Sequence, residues 1–159
     1  MIEMQTLKIK ITENGILPIN SSNETCFSSD YGIFKLYVVK DNATILYVGI
    51  AKQTIKARFQ GSFRAYTIKS VKEIPEYNGY SGYKWIKEYI NTDKILDLYI
   101  IRLNEINDKE KCEAIEAELV FLIRQTKSQW PLYQNEIHFH EKHPEAKEIA
   151  IKLLALIEK

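Results

Sequence analysis

Long apolar runs are missing from this chain, and no segment approaches the length needed to cross a bilayer. The first residues, MIEMQTLKIKITENG, lack the basic lead, apolar centre and small-residue cleavage site of a signal peptide. They alternate polar and apolar side chains instead, and read as an extra strand. Cysteine is scarce. Cys26 and Cys112 have no metal-ligand spacing, which excludes a disulfide framework or a thiolate zinc site and leaves two reduced thiols, as expected of a cytoplasmic protein. Internal repeats and low-complexity tracts are absent, which excludes a solenoid. Charge of one sign is also lacking, with a formal net charge of +1 over 159 residues. That is little for a protein whose affinity for nucleic acid would come from counterion release.

What is present is an ordinary globular composition, 45% hydrophobic and 27% charged, at a length that makes one domain able to bury its own core. The near-zero sum hides an uneven distribution. Residues 52–72 carry Lys52, Lys56, Arg58, Arg64, Lys69 and Lys72 with no acid, while acids gather in 105–118 and 136–148. This predicts a basic face, or a solvated helix face, on a nearly neutral protein.

Periodicity predicts the elements. A strand covers 6–12 and a polar loop 20–30. Residues 33–39 and 45–48 are rich in β-branched and aromatic side chains around the polar KDNAT, and form a hairpin over 33–49. Thr54 caps a helix over 54–66. Residues 73–83, with Pro75, Gly79 and Gly82, form a loop. A helix at 83–91 sets Trp85, Ile86, Tyr89 and Ile90 at helical spacing. Residues 96–103 give the third core strand. A helix over 109–127 turns Ile115, Leu119, Leu122 and Ile123 inward and stops at Trp130-Pro131. A last helix over 144–158 opens with Pro144 and carries Ile149, Leu153, Leu154 and Ile157 on one stripe. The expected fold is α+β, a small antiparallel three-stranded core sheet flanked by helices, with an N-terminal extra strand and a C-terminal helix.

The segment from Gly32 to Phe59 is the most informative. A tyrosine at a strand end, a glycine, a helix start and an arginine converge there, a reasonable way to hold a phosphate. This segment resembles the GIY-YIG nuclease family. Gly32-Ile33-Phe34 is similar to the family's Gly-Ile-Tyr, and Tyr47-Val48-Gly49 matches its Tyr-Ile-Gly. Arg58 falls where the family has an arginine. Glu116-Ala117-Glu118-Leu119-Val120 and the later Pro131-Leu132-Tyr133-Gln134-Asn135 resemble its glutamate helix and Pro-x-Tyr-Asn turn. The four elements keep their order over residues 32–135. The resemblance implies a single GIY-YIG-like domain over 1–159, with core 32–135, N-terminal extension 1–31 and C-terminal helix 144–158. Where the family has tyrosine in its first motif, this chain has Phe34. Tyr37 lies three residues along, and strand alternation predicts that 34 and 37 point oppositely, so one phenol is expected to be missing from the site.

The resemblance also implies a chemistry, hydrolysis of DNA phosphodiester bonds, on plain, branched or single-stranded DNA and away from any membrane. Water must lose a proton, and charge on the phosphoryl and leaving oxygens must be stabilised. A divalent cation, Mg2+ or Mn2+, serves both oxygens, and one well-placed carboxylate is enough to hold it. Glu116 is the expected metal ligand, with Glu118 as the competing acid on another helix face. Arg58 is expected to clamp the scissile phosphate through its planar fork. Tyr47 is expected as the general base, its phenol drawn below the usual pKa of about 10 by nearby positive charge. Gly49 would let substrate approach the backbone, Lys52 and Lys56 would steer phosphate, and Gln134 or Asn135 would order the site. Each residue also has a plain structural reading, as a strand tyrosine, a surface arginine or a helix acid. His138, His140 and His143 match no standard metal signature, and read as structural or surface residues. Tyr77, Tyr80, Tyr83 and Trp85 read as a packed loop, or as a base-stacking surface. The alternative to a nuclease is a catalytically inactive member that binds nucleic acid or protein.

Overall fold

The computed structural model describes residues 2–19, 24–71, 84–103, 108–127, 131 and 145–159, and these form five strands and four helices. The strands are β1 (Ile2–Thr12), β2 (Gly15–Ile19), β3 (Lys35–Asp41), β4 (Thr44–Ala51) and β5 (Leu96–Leu103). The helices are α1 (Ile55–Val71), α2 (Ile86–Tyr89), α3 (Lys109–Lys127) and α4 (Glu145–Ile157), with a short 3-10 turn at Glu24–Phe27. All strand pairs are antiparallel, in the order β2-β1-β5-β3-β4. The protein is therefore α+β as expected, but its sheet has five strands rather than three.

The two added strands come from one N-terminal hairpin. Thr12 pairs with Gly15 across Glu13 and Asn14, and Gly15 takes a φ of 124°, a conformation open to glycine and costly for other residues. Asn14 N–H donates to Thr12 Oγ1 at 3.1 Å and fixes the turn. β2 carries Pro18 and lies at the sheet edge, where a missing N–H does little harm. β1 then lies along β5, from Ile2 opposite Leu103 to Ile9 opposite Leu96.

β3 is nearly all buried, since both of its faces are covered. One face carries Tyr37, Val39, Ile55, Phe59, Trp85 and Ile86, joined by Leu7, Ile9 and Ile11 of β1. The other packs Leu36, Val38, Val48 and Ile101 against Ile115, Leu119, Leu153 and Ile157 of α3 and α4. Trp85 sits fully buried against Phe59, ring centroids 5.6 Å apart.

Two lysines inside the protein are explained by backbone carbonyls. Lys40 Nζ donates to Ile157 O at 2.9 Å, at the negative end of α4, and lies over the Tyr99 ring. Lys35 Nζ donates to the carbonyls of Asp30, Ile33 and Gln53 at 2.8–2.9 Å. Burial lowers its pKa, with Asp30 opposing that shift and Arg102 adding to it.

The expected helix at 54–66 runs on to Val71, and the one at 83–91 contracts to Ile86–Tyr89. β5 and α3 keep their expected bounds. Residues 24–27 of the expected loop form the 3-10 turn. The expected loop at 73–83, Gln134, Asn135 and the three histidines lie outside the described residues. No helix among the described residues is long and apolar enough to cross a membrane.

Candidate functional site

The hairpin sets the first half of the site. Asp41 pairs with Thr44 across Asn42 and Ala43, and Asn42 takes the positive φ of 53° that asparagine tolerates. Register then slips by one residue: Lys40 opposes Ile45, but Val39 opposes Tyr47. Leu46 is the extra residue of a β-bulge. Consequently Leu46 and Tyr47 both face the α1 layer, while Ile45 and Val48 face the α3 layer. The bulge therefore aims Tyr47 at α1.

Tyr37 is on that same face. It pairs with Gly49, and its ring lies 6.1 Å from the Tyr47 ring, centroid to centroid. The two phenols thus share one buried face, although alternation counted from Phe34 predicts that Tyr37 points away, and Tyr37 has no exposed surface. β3 starts at Lys35, so Phe34 lies outside the strand and offers no parity from which to count. Phe34 instead sits half-buried under Lys52 Nζ, 5.3 Å from the ring centre. Gly49 also acquires a reason. A Cβ there would meet Tyr37 Cζ at 2.5 Å and its hydroxyl at 2.6 Å, so the phenol needs the glycine. Tyr47 itself is 7% exposed and belongs to the core of that face.

Helix α1 supplies the charge. Thr54 caps it as expected, accepting from Ala57 N–H at 3.1 Å. Its first turn holds Lys56 and no acid. Cations at the positive end of a helix dipole cost stability, unless an anion is meant to bind there. Ile55 and Phe59 point down onto the sheet, where the Phe59 ring meets Tyr37 edge-on at 5.4 Å. Arg58, beside Phe59, is half-buried, with its Nε sealed from solvent. Lys56 turns to another side of the helix. With Gln60, Phe63, Phe27 and the β1–β2 turn it lines a cavity of about 280 Å3 that Arg58 does not border. Lys52 and Arg64 are exposed.

Helix α3 supplies the carboxylate. Asp108 caps it, its Oδ1 accepting from Glu110 N–H at 2.8 Å. Glu116 is half-buried, and its carboxyl is pushed up to about 8. Burial is the main cause, the Glu113 charge adds to it, and the Arg58 charge opposes it. α1 and α3 pack on opposite faces of the sheet, yet both border β4, a sheet edge: α1 follows from its end and α3 contacts it. Arg58 and Glu116, distant in sequence, therefore act on each other. Glu113 sits one helical turn before Glu116, on the same side. Nothing in the acid-rich run EKCEAIEAE singles Glu113 out. Glu118 is also half-buried.

Among the described residues no cluster of three or more acids, histidines or cysteines is assembled. No family model, curated protein or solved structure matches this chain.

Proposed function

We propose that this chain is a metal-dependent endonuclease that hydrolyses DNA phosphodiester bonds. The observation that carries the reading is that the Arg58 charge reaches the Glu116 carboxyl from across the sheet and opposes its upward shift. It supports one site drawn from both layers of the protein. The order hairpin, helix, short helix, strand, helix also agrees with what the resemblance to GIY-YIG nucleases implies.

In this reading Arg58 clamps the scissile phosphate, its buried Nε fixing the direction of the fork. Tyr47 takes the proton from the attacking water. Tyr37, fully buried against its ring, is the second phenol and positions Tyr47. The start of α1, with Arg58 in its first turns and Lys52 just before it, holds the substrate anion. Glu116 fits a divalent ion: burial makes its carboxyl costly to ionise, and a cation beside it would restore the anion. Glu113 is placed to share the load, matching the one or two carboxylates that magnesium takes from a protein. A bound ion would supply charge to the phosphoryl and leaving oxygens.

A second reading is a non-catalytic binding module. The burial of Tyr47 favours it, since a general base must reach water. Incubation of the pure protein with supercoiled plasmid, branched DNA and single-stranded DNA separates the two. Magnesium-dependent nicking that is lost in Glu116→Ala supports the nuclease. Binding that needs no metal, with no nicking and no effect of that substitution, supports the module.

A further inference from the structure

Tyr31 is 83% exposed, the most exposed large hydrophobic residue described, and Ile33 beside it is 38% exposed. Their loop is nonetheless firmly held. Lys35, with no exposed surface, gathers the carbonyls of Asp30, Ile33 and Gln53 from within. Gly32 N–H donates to Lys52 O at 2.8 Å, and Arg102 Nε lies 3.5 Å from Asp30 Oδ2. Asp30 and Gly32 take positive φ values of 63° and 85° to make the turn. A buried lysine and a left-handed aspartate are costly devices for a surface loop. Here they present an aromatic ring to solvent.

The loop is tied to Lys52 and Gln53, the segment that joins β4 to α1. It therefore borders the cationic start of α1, with Lys52 at its side over Phe34. An exposed aromatic ring next to exposed lysine is the combination that stacks an unpaired base while its backbone is held by charge.

We propose that Tyr31 is a base-stacking platform, which takes an unstacked nucleobase of the strand whose phosphate sits at the start of α1. The inference rests on the nuclease reading of that site. It adds the preference for unpaired or branched DNA that this reading leaves open.

The test is fluorescence anisotropy with a labelled thymidine oligonucleotide, without magnesium, over a salt series. Tyr31→Ala is expected to weaken binding by about 5- to 100-fold and leave the salt slope unchanged, since no charge is lost. Tyr31→Phe is expected to bind as the wild type does. Lys52→Ala is expected to lower the slope. Tyr31→Trp adds a direct signal, because its added indole emission is quenched when a base stacks on it. Wild-type binding that Tyr31→Ala leaves unchanged, or an unquenched Tyr31→Trp in a bound complex, overturns the platform alone. A wild-type chain that neither binds nor cuts DNA overturns the platform and the nuclease reading together.

Discussion

The phenol of Tyr37 lies over Gly49, its partner across the β3–β4 ladder, so closely that the glycine has no room for a methyl group. Gly49→Ala would place its Cβ 2.5–2.8 Å from two ring carbons and the hydroxyl of Tyr37, and a rigid ring cannot bend away as a flexible chain end would. The substitution is expected to cost about 1–3 kcal/mol in urea unfolding. In the Tyr37→Ala background, where the ring is gone, Gly49→Ala should cost little further. Simple additivity of the two would show that the ring and the glycine are not coupled.

In the proposed nuclease the second phenol is Tyr37, whose ring lies against Tyr47. Tyr37→Phe keeps the packing and removes the hydroxyl, and is expected to slow plasmid nicking by about 10- to 1,000-fold. Phe34→Tyr adds a hydroxyl outside the pair and is expected to leave the rate unchanged. A gain from Phe34→Tyr, with no effect of Tyr37→Phe, would return the role to the first-motif position.

Glu116 should make the protein's stability depend on pH. Its carboxyl is raised from 4.5 to about 8 in the folded protein. The folded state thus holds the proton more tightly than the unfolded one. Its contribution is complete below about pH 4.5 and is lost as pH rises through about 8. Across that window the loss is on the order of a few kcal/mol, and Glu116→Gln should flatten the curve. Magnesium should flatten it too, by favouring the ionised carboxylate, and less magnesium should be needed for half-maximal nicking as pH approaches 8. Parallel stability curves for wild type and Glu116→Gln from pH 5 to 9 would contradict this assignment.

Lys35 and Lys40 should behave as structural residues. Lys35→Met strands three carbonyls and is expected to cost about 2–4 kcal/mol. Lys40→Met loses one contact at the end of α4 and is expected to cost about 1–2 kcal/mol. Chemical denaturation measures both. Equal small losses would mean that the carbonyls around Lys35 find water.

Much of this fold is legible in the chain. β5 and α3 were readable because their apolar residues keep one period over many positions. The Thr54 cap and the Asn42 turn follow from local chemistry. β2 was not readable, since Gly15 to Ile19 is too short and too mixed to show alternation. The bulge at Leu46 was not readable either, and it decides where Tyr47 points. Alternation from Phe34 turns Tyr37 away from Tyr47, but Phe34 lies outside β3 and sets no phase for it. The register from Tyr47 backwards shows a large aromatic opposite a glycine, and that pairing was the available signal. The buried lysines were hidden because their partners are main-chain carbonyls, which leave no mark in a sequence. Arg58 and Glu116 were found by resemblance, and the effect of one charge on the other, across two layers, appears only in three dimensions.

Single-turnover nicking of supercoiled plasmid in magnesium, by Arg58→Ala, by Glu116→Gln and by the two combined, asks whether guanidinium and carboxylate serve one site. Each single change is expected to slow the reaction at least about 100-fold, and the pair should be no slower than the slower single. Singles that cut at the wild-type rate, or losses that simply multiply in the pair, would contradict the shared site.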